Sequence, residues 1–304
     1  MKNNEKNKFL IKELVFLLTG VCLCVIMCIW LEINATVLKR RMIMSKKVIL
    51  ISIDGMRPDG LMSCGNCYVN ELKKKASYTF DAKTVFPSIT LPCHLSLFHS
   101  VPPQRHGTLS NTYAVPVRPV DGLFEVLKAN GKMSAMYYGW EQMRDVGRPG
   151  SLIASEYINA YSFESVDAML TERALQYIKI KKPDFVFLYM VETDEKGGHD
   201  HGWMSDVYLD CINRAIDNAK RVIEEVGDEY TVIITADHGG HDRMHGTELP
   251  EDMTIPMFFV GKEFTEGKEL ENISILDIAP TIADVMGLNI PREWEGKSIL
   301  EKED

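Results

Sequence analysis

Tyr230-Thr231-Val232-Ile233-Ile234-Thr235-Ala236 runs directly into Asp237-His238-Gly239-Gly240-His241-Asp242-Arg243-Met244-His245. The first half is apolar and β-branched with no polar alternation, the pattern of a strand buried on both faces of a parallel sheet. The second half opens into a glycine-containing loop that carries carboxylates and imidazoles. Open α/β sheets place their ligands just beyond the carboxyl ends of such strands, so this junction reads as a site, with the residue types that bind metals. The construction recurs twice. Val48-Ile49-Leu50-Ile51-Ser52-Ile53 ends in Asp54-Gly55, and Phe185-Val186-Phe187-Leu188-Tyr189-Met190-Val191 ends in Glu192-Thr193-Asp194, followed by His199.

Working outward from these junctions, strands are expected at 47–53, 132–138, 184–191, 230–236 and 255–260. Helices are expected at 121–130, 164–180, 205–226 and 275–286. The alternation predicts an α/β fold, a mostly parallel central sheet with helices on both faces. Ser205 or Asp206 can cap the third helix, and Gly227 can end it. Between the first strand and Val120, prolines that include Pro87, Pro92, Pro102, Pro103, Pro116 and Pro119 predict turns and short helices. There is no internal repeat and no low-complexity tract.

A chain of 304 residues with 45% apolar residues suits one large α/β domain. The formal charge is −9, but residues 1–45 hold seven Lys/Arg against three Glu; residues 46–304, with 27 Lys/Arg against 40 Asp/Glu, carry −13. So acidic a domain is a poor partner for duplex nucleic acid, whereas bound cations would reverse the field locally and admit a small anionic substrate. Leu14 to Leu31 contains no charged residue, and 18 residues at ~1.5 Å rise give roughly 27 Å, close to a ~30 Å hydrocarbon core. The expected organisation is a membrane-anchor segment and basic linker over 1–45, followed by a catalytic domain over 46–304. The segment 14–31 reads as a single-pass anchor rather than a cleaved signal peptide. Basic residues flank both sides of it and leave the side of the catalytic domain open. Met44 directly precedes the first strand, and translation from there would make the protein cytoplasmic. Of the seven cysteines, none outlines a disulfide framework, and Cys64-Gly65-Asn66-Cys67 without a second pair reads as an ordinary loop.

A second stretch, Phe86-Pro87-Ser88-Ile89-Thr90-Leu91-Pro92-Cys93-His94, sets a threonine beside this chemistry. An isolated threonine between apolar residues is ordinary packing. Near a divalent cation it becomes a candidate nucleophile, because such an ion lowers the pKa of bound water from 15.7 to roughly 7 and favours an alkoxide likewise.

Four ordered blocks together resemble the alkaline phosphatase superfamily, and most closely its nucleotide pyrophosphatase/phosphodiesterase branch. They are Ser52-Ile53-Asp54-Gly55; Phe86 to Pro92 with His106-Gly107 and Asn111; Thr193-Asp194 with Gly198-His199; and Ala236 to Gly239 with His245-Gly246-Thr247. The resemblance spans about residues 46–290. It implies two divalent metal ions, zinc or alternatively manganese, and a threonine that is transiently phosphorylated or nucleotidylated. Position by position it implies that Asp54, Thr90, Asp237 and His238 hold one ion, that Asp194, His199 and His245 hold the other, and that Asn111 donates a hydrogen bond to a phosphoryl oxygen. The implied function is hydrolysis of phosphate esters, foremost nucleotide phosphodiester or pyrophosphate bonds.

One spacing departs from the family pattern. Four residues separate Asp194 from His199, where the family has three, so Glu195 competes with Asp194 for the ligand role unless the extra glycine is absorbed in a bulge. His241 likewise competes with His245. His201 reads as facing substrate or solvent, and His94, His99 and His106 as structural or turn histidines. Thr90-Leu91-Pro92-Cys93-His94 lacks the Cys/Ser-x-Pro-x-Arg pattern of sulfatases. Cofactor-independent phosphoglycerate mutases use serine and a large inserted domain for which the chain has no room. A membrane-anchored phosphoethanolamine-type transferase, a phosphomonoesterase and a metal-stabilised binding module remain as alternatives. Tyr137-Tyr138-Gly139-Trp140 reads as core, or else lines the substrate pocket together with 141–163.

Overall fold

The computed structural model describes residues 47–301. The expected anchor at 14–31 and its linker lie outside the described residues, among which no helix is long and apolar enough to cross a membrane. Seven strands form one sheet: β1 (Lys47–Ile53), β2 (Ser77–Lys83), β3 (Ser134–Tyr138), β4 (Ala154–Tyr157), β5 (Phe185–Met190), β6 (Tyr230–Thr235) and β7 (Thr254–Val260). Their order is β2-β7-β6-β1-β5-β3-β4. Pairing is parallel from β6 through β1, β5 and β3 to β4, while β7 runs antiparallel to both of its neighbours. The sheet is therefore mixed, with the expected parallel arrangement at its centre.

The central strands are buried along almost their whole length, so both faces are covered. One group of helices, Pro58–Ser63, Tyr68–Lys75, Val166–Lys181 and Asp206–Val226, packs together against the sheet; Thr90–His99, Leu123–Ala129 and Ile278–Val285 form a second group. The Asp206–Val226 helix follows its sequence signals. Ser205 accepts a hydrogen bond from the Tyr208 backbone N–H, Gly227 ends the helix at φ +53°, and Ile212, Ala215, Ile216, Ala219 and Val222 bury one face at three- and four-residue spacing.

Two strands were not anticipated, and one of the short helices expected before Val120 runs to ten residues. β2 and β4 are the edge strands of the sheet, and their sequences, Ser-Tyr-Thr-Phe-Asp-Ala-Lys and Ala-Ser-Glu-Tyr, are half exposed and too polar to stand out. The ten-residue helix Thr90–His99 begins inside the proline-rich stretch. Pro92 is its third residue, where an N–H has no intrahelical partner to lose, so the proline does not break it.

The register of β1 decides where the site lies. Ile53 pairs with Met190 of β5 and Ser52 with Thr235 of β6. The residues that follow, Asp54, Glu192-Thr193-Asp194 and Asp237-His238, therefore leave the sheet at one edge.

Candidate metal centre

Asp54, Asp194 and Asp237 are all buried, and each has one oxygen without a hydrogen-bond partner: Oδ1 of Asp54, Oδ1 of Asp194 and Oδ2 of Asp237. The other oxygens of Asp54 and Asp237 are held by the fold. The Tyr189 hydroxyl donates to Asp54 Oδ2, and the Gly55 backbone N–H donates to Asp237 Oδ1 at 3.3 Å. Gly55 has φ +66°, and a Cβ there would lie 2.9 Å from Asp194 Oδ1. Only glycine allows the β1 turn to pass so close to the second carboxylate.

Three imidazoles complete the cluster with one shared orientation. His238 Nδ1 lies 2.7 Å from the Gly239 carbonyl, His245 Nδ1 2.9 Å from the Ser88 carbonyl, and His199 Nδ1 3.0 Å from the Arg243 carbonyl. A carbonyl only accepts, so each Nδ1 carries a hydrogen, and in the neutral ring each Nε2 keeps a lone pair. Those lone pairs converge on the carboxylates. His238 Nε2 lies 3.3 Å from both Asp54 Oδ1 and Asp237 Oδ2, His199 Nε2 3.4 Å from Asp194 Oδ2, and His245 Nε2 3.9 Å from Asp194 Oδ1. The His238 and His245 rings stack at 3.9 Å. Two groups have ligand atoms within 4.8 Å of one another, Asp54-Asp237-His238 and Asp194-His238-His245, so His238 stands between them. His199 joins from the rim through Asp194.

Thr90 is 4% exposed and is the first residue of its helix. Its Oγ1 lies 3.1 Å from His238 Nε2, which brings the hydroxyl to the same cluster. Asn111 Oδ1 accepts from the Leu91 backbone N–H at 3.1 Å. Its amide is thereby oriented beside the helix N-terminus, where partial positive charge favours an anion.

The competing assignments separate geometrically. Asp194 and His199 lie on a π-helix, Thr193–His199, whose wider turn brings residues five apart onto one face and absorbs the extra residue. Glu195 instead lines a cavity of about 350 Å³ with Ala160, Tyr161, Phe163, Lys196 and Asp200. His241 turns away from the cluster and meets Asp252 at 2.7 Å, while His201 Nδ1 faces the Lys196 carbonyl at 2.8 Å. His99 faces the Leu95 carbonyl and His106 the Ser96 hydroxyl. Tyr137 and Tyr138 are buried in β3 as core. The four described cysteines are free. Sequence reasoning missed Tyr189, which sits beneath Asp54, and set His94 aside, although both lie against the site; an apolar strand position and a helical histidine carry no distinguishing signal.

The electrostatics of the cluster show what would satisfy it. Burial, and then the charges of Asp237 and Asp194, push the Asp54 carboxyl well above its ordinary range; burial, and then Asp237 and Glu195, do the same to Asp194. Burial also pushes Asp237 upward, but His238 and His94 hold it below the ordinary value. Burial, and then His238, lower His245 to about 3, which keeps it neutral and able to ligate. Three buried carboxylates with orphaned oxygens, beside imidazole nitrogens aimed at them, are what divalent cations satisfy: they neutralise the repulsion and take up free electron pairs. The residues fit such ions.

The family model described as type I phosphodiesterase / nucleotide pyrophosphatase matches residues 48–249, a span that includes every side chain of the cluster together with Thr90 and Asn111. The chain belongs to this family. It is also similar to the 2,3-bisphosphoglycerate-independent phosphoglycerate mutase of Clostridioides difficile, 29% identical over 222 residues, covering 64% of this chain and 42% of that protein. The chain spans less than half the length of the mutases it matches. Among solved structures it resembles murine ectonucleotide pyrophosphatase/phosphodiesterase 5, captured as an inactive variant in complex with AMP, with TM-score 0.69 and 15% identity over 81% of this chain and 96% of the other. A phosphonate monoester hydrolase from Silicibacter pomeroyi matches with TM-score 0.66 and 15% identity over 84% and 76%. At those identities the structures show a shared alkaline phosphatase-like fold.

Proposed function

We propose that this protein hydrolyses phosphate esters, and that its substrates are nucleotide phosphodiester or pyrophosphate bonds. The observation that carries the reading is the placement of the Thr90 hydroxyl against two groups of buried, metal-competent Asp and His side chains. Asp54, Thr90, Asp237 and His238 would hold one divalent cation, and Asp194, His199 and His245 the other, with zinc as the preferred ion. Such cations supply Lewis-acid polarisation of the phosphoryl group and favour ionisation of the alcohol.

The remaining work falls to the chain. Thr90 Oγ1 attacks phosphorus, the bond to the leaving oxygen breaks, and water then cleaves the Thr90 ester. The Asn111 amide, held by the Leu91 N–H through its oxygen, donates from its nitrogen to a phosphoryl oxygen. The helix N-terminus at Thr90 adds its dipole to the same charge. Tyr161 and Phe163 are 73% and 52% exposed at the cavity beside Glu195, close enough to the π-helix to stack on a nucleobase. Catalysis is assigned to residues 46–304, and residues 1–45 serve as an anchor and linker.

Thr90→Ala tests the nucleophile. It removes one buried hydrogen bond, worth about 1 kcal/mol, so the variant should fold while losing turnover of bis-p-nitrophenyl phosphate and dinucleotides. Normal turnover by the variant would overturn the assignment. A panel of p-nitrophenyl phosphate, bis-p-nitrophenyl phosphate and dinucleotides, with elemental analysis of the purified chain, tests substrate class and metal. Product appearing on an acceptor other than water would replace hydrolysis with group transfer.

A further inference from the structure

We infer that His94 is a positioning residue that ties the turn carrying Thr90 to the Asp237 carboxylate, so that nucleophile and first cation site are held as one unit. The inference rests on the phosphoryl-transfer reading of the site. The His94 ring is 0% exposed and packs edge-on against Tyr189 at 5.1 Å. Its Nδ1 lies 2.8 Å from the Thr90 carbonyl oxygen, which only accepts, so Nδ1 carries the hydrogen. Its Nε2 lies 3.0 Å from the Ser52 hydroxyl on β1, two residues before Asp54, and in the neutral ring it accepts from that hydroxyl.

Those two bonds alone would describe a satisfied core histidine. A third contact goes further. Nδ1 also lies 3.4 Å from Asp237 Oδ2, the oxygen that lacks a hydrogen-bond partner and faces His238 Nε2. One imidazole therefore touches the three segments that deliver Asp54, Thr90 and Asp237: the end of β1, the first turn of the Thr90–His99 helix and the loop after β6. A shift of Asp237 and a shift of Thr90 are coupled through this ring. Partners of this kind behind metal-binding groups typically change affinity or activity 10–100-fold when lost.

The test compares His94→Leu with His94→Asn in the full chain. Leu fills much of the volume without a donor, whereas the Asn amide nitrogen takes the place of Nδ1–H and keeps the donor toward Thr90 and Asp237. For His94→Leu the expected result is a kcat on bis-p-nitrophenyl phosphate lowered about 10–100-fold, KM within about twofold of wild type, and Zn²⁺ affinity by calorimetry weakened about tenfold. His94→Asn should recover most of the kcat and Zn²⁺ affinity even where its melting temperature stays below wild type. If the two variants lose kcat and Zn²⁺ affinity equally, or if the losses simply follow melting temperature, the inference is overturned. Should His94→Leu fail to fold, Ser52→Ala serves. It frees Nε2 and should lower kcat about threefold or more in a folded protein, an order-of-magnitude expectation for an outer hydrogen bond, and an unchanged kcat refutes the positioning role. Zn²⁺ binding reports on the link without turnover. A wild-type chain that cleaves no ester sinks the functional reading, and the relative Zn²⁺ affinities of the variants then decide the role of His94 separately.

Discussion

Replacing Asp194 with Asn should move the metal-free and metal-loaded proteins in opposite directions. In the metal-free chain, burial and then the neighbouring Asp237 and Glu195 charges hold the Asp194 carboxyl well above its ordinary range. A pKa raised by folding stabilises the protein below the unfolded value, and that stability is lost as pH rises through the raised folded value. Asn keeps the shape of Asp194 without an ionisable group, so at pH 8, above the ordinary carboxylate range, metal-free Asp194→Asn should melt above wild type. Bound metal reverses the order. Each site filled at free metal 100 times its Kd adds about 2.7 kcal/mol. Unfolding entropy near 2.1 cal/mol/K per residue gives roughly 0.5 kcal/mol/K for the residues from 47 to 301. Each filled site then raises the melting temperature by about 5 °C, and two by about 10 °C. Asp194→Asn retains Asp54, Asp237 and His238, so it should keep only the first increment. Calorimetric melts of both proteins at pH 8, in EDTA and in Zn²⁺, measure all four states. A variant that melts several degrees below wild type in EDTA, or one that keeps the whole metal-dependent rise, would refute the reasoning.

Two further outcomes follow from the backbone and from a buried carboxyl behind the site. Gly55→Ala places a side chain at φ +66° and a Cβ 2.9 Å from Asp194 Oδ1. The left-handed backbone alone costs roughly 1–2 kcal/mol, so the urea midpoint should fall by at least that equivalent together with Zn²⁺ affinity, and an unchanged midpoint would contradict the described turn. Asp167 accepts from the Val191 and Glu192 backbone N–H groups at 2.9 and 3.2 Å. Burial, then the Glu192 charge, push its carboxyl up to about 7. Because the shift is upward, its contribution to stability is full below the ordinary carboxylate range and is lost as pH rises through about 7. Urea titrations from pH 5 to 8 should show that loss in wild type and a flatter profile in Asp167→Asn; equal slopes would rule it out.

The strand ends were legible from the residues because two physical demands coincide there. A strand buried on both faces must be largely apolar, as 48–53, 185–190 and 230–235 are, and its charged successors then mark where the chain leaves the core. That is why Asp54, Asp194, Asp237 and His238 stand out in the sequence. The capping Ser205 and terminating Gly227 were readable for a similar reason, since each satisfies a local backbone need. The edge strands β2 and β4 were not, because a half-exposed edge places few demands on its side chains.

What only the tertiary structure decided was orientation. Asp194 rather than Glu195 meets the cluster through a π-turn that spacing alone leaves open, while the His245 ring turns toward Asp194 and the His241 ring toward Asp252. His94 and Tyr189 join the site because packing brings a helix and a strand beneath it. Sequence pattern records which residues must be buried and which must be polar. The directions of the His199 and His245 lone pairs depend on partners 44 and 157 residues away, and they are settled only when the chain closes around them.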